Sequence, residues 1–218
     1  DQSFILRLYK RLIILCNIMS KIDLIEIYKE LCTEHEIPFK LDYNVSSYDE
    51  TTLFCPAGMQ QYKKQFSDQD VKGVTVANIQ SCIRLNDYEE LGDGTHCICF
   101  DMMGFFSFRD KTVQFTIDFW INYLTRLGLK VDYVTIHPDV FNNWKRYYDK
   151  YDFEIREDSE CVWSDGKGKD AYCTEFYIND IEIGNIVNPG GDCIDVGFGY
   201  ERLDSIVNKS DLGSKDEL

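Results

Sequence analysis

A chain of 218 residues, 44% hydrophobic and 28% charged, carries enough apolar material for one folded core, and none of its apolar runs approaches the ~20 residues that span a bilayer. The net charge of −15 argues against a broad basic face for nucleic acid, because neutralising phosphates supplies most of such affinity. Nine cysteines with no Cys-x-x-Cys pair, and only three histidines, offer no zinc spacing; they read as reduced, buried thiols of a cytoplasmic protein.

Taken in chain order, residues 1–18 begin without methionine and scatter basic residues among apolar ones. They read as a leader or extension, with Met19-Ser20-Lys21 resembling a natural start. Residues 22–34 place Leu24, Ile27, Tyr28 and Leu31 on one helical face. Extended runs follow at Gly73–Gln80 and Thr95–Asp101. A second amphipathic helix covers 112–127 through Val113, Ile117, Trp120, Ile121, Leu124 and Leu127, with Gly128 as its C-terminal cap. After a strand at Val131–His137, a third helix over 139–149 turns Val140, Trp144, Tyr147 and Tyr148 inward. Thr174–Ile178 and Ile181–Val187 are strands joined by Asn179-Asp180, residues suited to a two-residue turn, and Ile194–Gly199 is the last strand. Strands outnumber helices and follow one another directly. The expected class is therefore α+β, an antiparallel sheet flanked by helices. Residues 19–207 read as one domain and 208–218 as a polar tail. Its Lys215-Asp216-Glu217-Leu218 matches a retention address that has no meaning without a signal peptide.

The chemistry concentrates near the end, in Asp195-Val196-Gly197-Phe198-Gly199-Tyr200-Glu201-Arg202. Alternating glycines let backbone approach a ligand, and an arginine where strand becomes helix offers a planar charged fork to phosphate. By residue type alone, this is equally a glycine-rich strand end with a surface Arg-Glu pair. The run resembles motif 3 of the class II aminoacyl-tRNA synthetases in its alanyl form. Six further segments resemble that family in its own order. They are Thr52–Lys63, Gln80–Arg84 (the start of motif 2), Asn86–Gly92, His96–Phe108, Cys173–Glu175 with the upstream Trp163, and Ile181–Val187.

The resemblance implies adenylation of a small amino acid, namely alanine with glycine or serine as near neighbours, with ATP and Mg²⁺ as cofactors. It makes Arg84 (α-phosphate) and Arg202 (γ-phosphate) the catalytic residues, with Gly199 and Glu175 completing the ATP site. Glu175 is also the Mg²⁺ candidate, ahead of Asp101. The amino-acid site falls to Asp195, which would hold the ammonium, with Trp163, Asn185, Gly197 and Met59. Read singly, Trp163 is equally a core tryptophan, His96 a strand histidine and Cys173 a packing residue. The implied partner is tRNA or another acceptor, with no membrane, for a monomer or homodimer. Three departures from the family pattern stand out. Only Leu85 separates Arg84 from Asn86, where the family inserts a longer loop. Gly184 replaces the tryptophan before Asn185, which implies a wider pocket. Gly166-Lys167-Gly168-Lys169 replaces the usual glycine-proline loop. None of the family's later tRNA-binding or editing modules falls within the 218 residues. Transfer to a carrier protein or small molecule, and a non-catalytic paralogue, therefore stand as alternatives.

Overall fold

The computed structural model describes residues 22–164, 170–188 and 191–210, apart from the side chains of 86, 87 and 170. The proposed leader, the whole Gly166-Lys167-Gly168-Lys169 loop and all but the first residues of the tail lie outside them. Five helices are described: α1 (Leu24–Glu34), α2 (Lys63–Ser67), α3 (Val113–Arg126), α4 (Phe141–Tyr148) and α5 (Tyr200–Asn208). The nine strands are β1 (Phe39–Asp42), β2 (Val74–Ile83), β3 (Cys99–Phe108), β4 (Tyr133–Ile136), β5 (Glu154–Glu157), β6 (Val162–Ser164), β7 (Asp170–Ile178), β8 (Ile181–Val187) and β9 (Cys193–Gly199). They form one sheet in the order β1-β2-β3-β9-β8-β7-β4-β5, with β6 alongside β7. The interior pairings are antiparallel as expected, but the edge pairs β1–β2 and β4–β5 are parallel.

Local chemistry sets the helix ends. Asp23 caps α1 by accepting from the Glu26 N–H at 3.0 Å, and Thr112 caps α3 through Phe115 at 3.1 Å. Gly128, at φ +75°, ends α3 as expected, its N–H bonded to the Thr125 carbonyl. Asn179 and Asp180 both take positive φ in the tight β7–β8 turn, a conformation these two residue types tolerate best after glycine.

Sheet alternation separates two environments. Ala77, Ile79, Met103, Phe105, Val196, Phe198, Ile186, Phe176 and Val134 pack with the buried residues of α1, α3 and α5 into the main core. Its centre is aromatic: Trp120 stacks on Phe198 at 4.1 Å between centroids and 5° between planes, and Tyr28 and Tyr123 meet Trp120 at 5.2 and 5.6 Å. The hydroxyls of this cluster are satisfied by backbone, Tyr28 by Gly104 O at 2.8 Å and Tyr123 by Leu24 O at 2.9 Å.

The Gly184 position belongs to this core side. A Cβ there would sit 2.4 Å from Phe198 Cγ and 2.6 Å from Gly197 O. The ring the resemblance implies at 184 is thus replaced by Phe198 stacked on Trp120. The glycine's backbone borders the cavity next to Asn185, while a side chain at this position would run into Phe198. Gly184→Trp is expected to lower the free energy of unfolding, measured in urea, by more than the ~1–3 kcal/mol of an ordinary overpacked core, and adding Phe198→Ala to restore part of the loss. A Gly184→Trp chain as stable as the parent would contradict this packing.

Candidate functional site

The opposite face of the sheet carries the site. On β9, Asp195, Gly197 and Gly199 alternate with the core residues Ile194, Val196 and Phe198. Register brings Gly197 opposite Gly104 on β3 and Asn185 on β8, and Val187 opposite Asp195. The roof above β2 and β3 is the segment from Cys55 to Tyr62, held down by buried amides. Asn78 Nδ2 donates to Gly58 O at 3.2 Å, and Gln80 Oε1 accepts from Gln61 Nε2 at 3.2 Å. A polar side chain survives full burial only with such partners, so these two fix where Ala57 and Met59 stand.

Between roof and sheet lies a cavity of about 270 Å³ lined by Met59, Arg84, Trp163, Asn185, Asp195, Gly197, Gly199 and Arg202, among others. Eight expected site residues therefore converge on one space from β2, β6, β8, β9, α5 and the roof. A side chain at 197 would crowd Met102, whose Sδ would lie 3.1 Å from an added Cβ. Arg84 follows β2; its Nε donates to Pro56 O at 2.9 Å, and its guanidinium lies 5.0 Å from the Phe100 ring centroid, a cation–π contact. Arg202, in the first turns of α5, donates from Nε to Thr95 O at 3.0 Å and from Nη1 to the Glu182 carbonyl and carboxylate at 2.8 and 3.1 Å.

Asp195 differs from the arginines. Among the described residues no side chain donates to its carboxylate, and burial alone pushes its pKa up to about 7. It faces the cavity from within the protein, so water reaches it only through that space.

Two expectations are not met. Glu175, expected in the ATP site and as the Mg²⁺ ligand, does not line the cavity. It accepts from Tyr177 Oη at 2.8 Å and Thr135 Oγ1 at 3.4 Å, beside Cys161 and Cys173. One strand beyond Asn185 in register, it falls outside the wall that Asn185 forms. Asp101 is excluded by alternation. Phe100 and Met102 face the cavity, while Asp101 pairs with Ser81 and accepts from its hydroxyl at 2.7 Å.

Two acidic residues without an expected role do line the cavity, Glu182 and Glu201. Glu182 was legible in principle, as a charge between Ile181 and Ile183 at the start of a strand. His96 also lines it, its ring nitrogens 3.1 Å from Glu90 and 2.5 Å from Asp93. The contact with His96 is the largest influence holding the Asp93 carboxyl well below its usual range. The short β2–β3 connection is thereby tied down, with Arg202 gripping it at Thr95.

The layout is that of a class II tRNA synthetase: antiparallel strands carry one arginine just past the end of a strand and another on the helix that follows the last. The profile of the class II (A) tRNA synthetases matches residues 34–209, and the chain belongs to that family. Its similarity within the family runs to the alanine type. An alanine–tRNA ligase of Mycoplasma genitalium is 29% identical over 208 residues, covering 74% of this chain and 23% of its own length. One from Staphylococcus aureus JH9 is 32% identical over 139 residues, covering 59% and 16%. The chain thus spans about a quarter or less of these relatives. Among solved structures, pyrrolysyl-tRNA synthetase from Desulfitobacterium hafniense shares the fold with a TM-score of 0.55 at 12% identity, over 89% of this chain and 72% of that one. No described helix is long and apolar enough to cross a membrane.

The raised pKa of Asp195 has a pH signature. The folded chain holds a proton there up to about pH 7, whereas the unfolded chain releases it near the ordinary value of 3.8. This contribution to stability is therefore complete at low pH and is lost as pH rises toward 7. Asp195→Asn is expected to gain stability over the parent at pH 8 and to match it at pH 4, measured by urea unfolding. An equal difference at both pH values would mean the carboxyl is not held protonated.

Proposed function

We propose that this chain is the adenylating centre of an alanyl-type ligase, working in the cytoplasm. The carboxylate of a small amino acid, alanine first, attacks the α-phosphorus of ATP, forming an aminoacyl adenylate and releasing pyrophosphate. One observation carries the reading: the Asp195 carboxyl, with no side-chain donor among the described residues, lines the same cavity as the guanidinium groups of Arg84 and Arg202. That trio matches the needs of the reaction. An amino acid brings one cation, for which Asp195 waits, and one anion, which must approach a polyanion. Holding the two in line removes the entropic cost of their encounter, and fixed guanidinium charge stabilises the growing negative charge on phosphorus oxygens. The attacking carboxylate is already ionised, so no general base is called for. Arg84 serves the α-phosphate and Arg202 the γ-phosphate, as the alanyl-family resemblance of their segments supports.

The walls support a small substrate. Trp163, Met59, Val187 and Asn185 stand around Asp195 and Gly197, leaving space for a short side chain. Steric walls exclude large amino acids strongly, but one methylene changes affinity by only ~1–3 kcal/mol, so glycine and serine are expected as weak alternates.

Mg²⁺ takes hard oxygen ligands. Glu182 fits, being a carboxylate on the cavity wall, 33% exposed and beside Arg202; Glu175, among thiols and off the cavity, does not. When bound, the ion would neutralise phosphate charge, and Glu182 would hold it on the side where Arg202 stands. The acceptor of the aminoacyl group is tRNA by kinship with the relatives. The net charge of −15 favours a second reading, in which the same adenylate passes to a carrier protein or small molecule.

Amino-acid-dependent exchange of pyrophosphate into ATP tests the reading. Alanine should support exchange, with glycine and serine weaker; no exchange with any of the three sinks it. Arg202→Ala should cut exchange about 10²–10³-fold, the cost of removing one fixed donor to a charged transition state, with the urea midpoint little changed. Asp195→Asn should raise the KM for alanine far more than that for ATP.

A further inference from the structure

Trp163 and Val187 wall the cavity on one side and on the other pack against a small buried cluster of Cys161, Ala171 and Cys173. Cys161 stands just before β6 and Cys173 on β7, joined by a backbone bond from Cys173 N to Cys161 O at 3.0 Å. The two cysteines are 0% and 2% exposed. Their Sγ atoms and a carboxylate oxygen of Glu175 all lie within 4.8 Å of one another, with Cys173 Sγ and Glu175 Oε1 3.9 Å apart.

The groups around this cluster orient it. Thr135 Oγ1 lies 2.8 Å from Cys161 Sγ and 3.4 Å from Glu175 Oε2, and the Tyr177 hydroxyl donates to the same carboxylate at 2.8 Å. Adenylation uses none of these side chains. Two thiols and a carboxyl group thus converge in one small, largely buried space.

We propose that Cys161, Cys173 and Glu175 bind a thiophilic divalent cation of the Zn²⁺ class, which ties β6 to β7 behind Trp163. Two sulfurs and one carboxylate oxygen are a donor set for such an ion rather than for Mg²⁺. A tetrahedral ion with Zn–S of about 2.3 Å and Zn–O of about 2.1 Å holds its ligand atoms roughly 3.5–3.8 Å apart. The Cys173–Glu175 separation already approaches this, and the widest separation in the cluster closes by about 1 Å. Binding forms two metal–sulfur bonds and one metal–oxygen bond and releases the thiol protons to solvent, with no change of oxidation state, so affinity falls as pH is lowered. Thr135 and Tyr177 take the outer positions that hold ligands at the correct angle. Zinc spacing rules pass over this set because its members are one cysteine before a strand and a Cys-x-Glu within the next. The inference does not rest on the adenylation reading and stands or falls separately from it.

Cobalt(II) chloride added to the reduced, metal-stripped chain is the probe. An equimolar amount should produce thiolate-to-cobalt charge-transfer absorption, displaced by zinc but not by excess magnesium, and weaker at lower pH. Cys161→Ser and Cys173→Ser should each abolish the band, while Cys32→Ser, in α1, should leave it intact. Thr135→Val should weaken cobalt binding about 10–100-fold with the urea midpoint of the metal-free chain near the parent's; it decides the matter should the serine variants fail to fold. Absence of the band, its survival in both serine variants, or unchanged affinity in Thr135→Val overturns the proposal. So does a Cys161–Cys173 disulfide found by thiol titration of the unreduced chain.

Discussion

The alternation of β9 is the constraint on which the rest of the molecule depends. This strand lies at the middle of the sheet, between β3 and β8. Its odd-numbered residues place Asp195 and two glycines in the cavity; its even-numbered ones place Ile194, Val196 and Phe198 in the core. The two sets cannot be altered independently, since a one-residue slip would drive a carboxylate into the aromatic cluster and expose a phenylalanine to the ligand. The stacked Trp120–Phe198 pair therefore also holds the register that keeps Asp195 facing its cavity.

Around that strand the molecule sets an uncompensated acid against partly compensated bases. Asp195 has burial and no side-chain partner among the described residues, whereas Arg84 and Arg202 have carbonyl, carboxylate and aromatic neighbours. Such an arrangement is costly in the empty protein and is relieved by a ligand carrying one ammonium and several anionic oxygens. Under the proposed function, a zwitterion beside a polyphosphate would supply the charges that these groups lack.

Much of this was legible in the sequence. The helical faces of α1 and α3, the Gly128 cap, the Asn179-Asp180 turn and the residues converging on the cavity follow from periodicity, turn chemistry and the resemblance of short segments. The parts not legible have physical reasons. The strand expected at Thr95–Asp101 runs instead from Cys99 to Phe108, because Phe105 packs toward the helices and Phe106 and Phe108 toward Tyr62 and Phe66, which erases the alternation. Glu175 was misplaced because a motif fixes neighbours along the chain but not the strand that forms the cavity wall. At Gly184 a missing tryptophan suggested a wider pocket, whereas its volume is taken by Phe198, fourteen positions later.

Arg202 is already occupied before any nucleotide arrives, clasped by Thr95 on the β2–β3 connection and by Glu182 on β8. Under the proposed function, a triphosphate would have to compete with those partners for the guanidinium, so part of its intrinsic affinity would be spent in opening the clasp and freeing the Thr95 carbonyl.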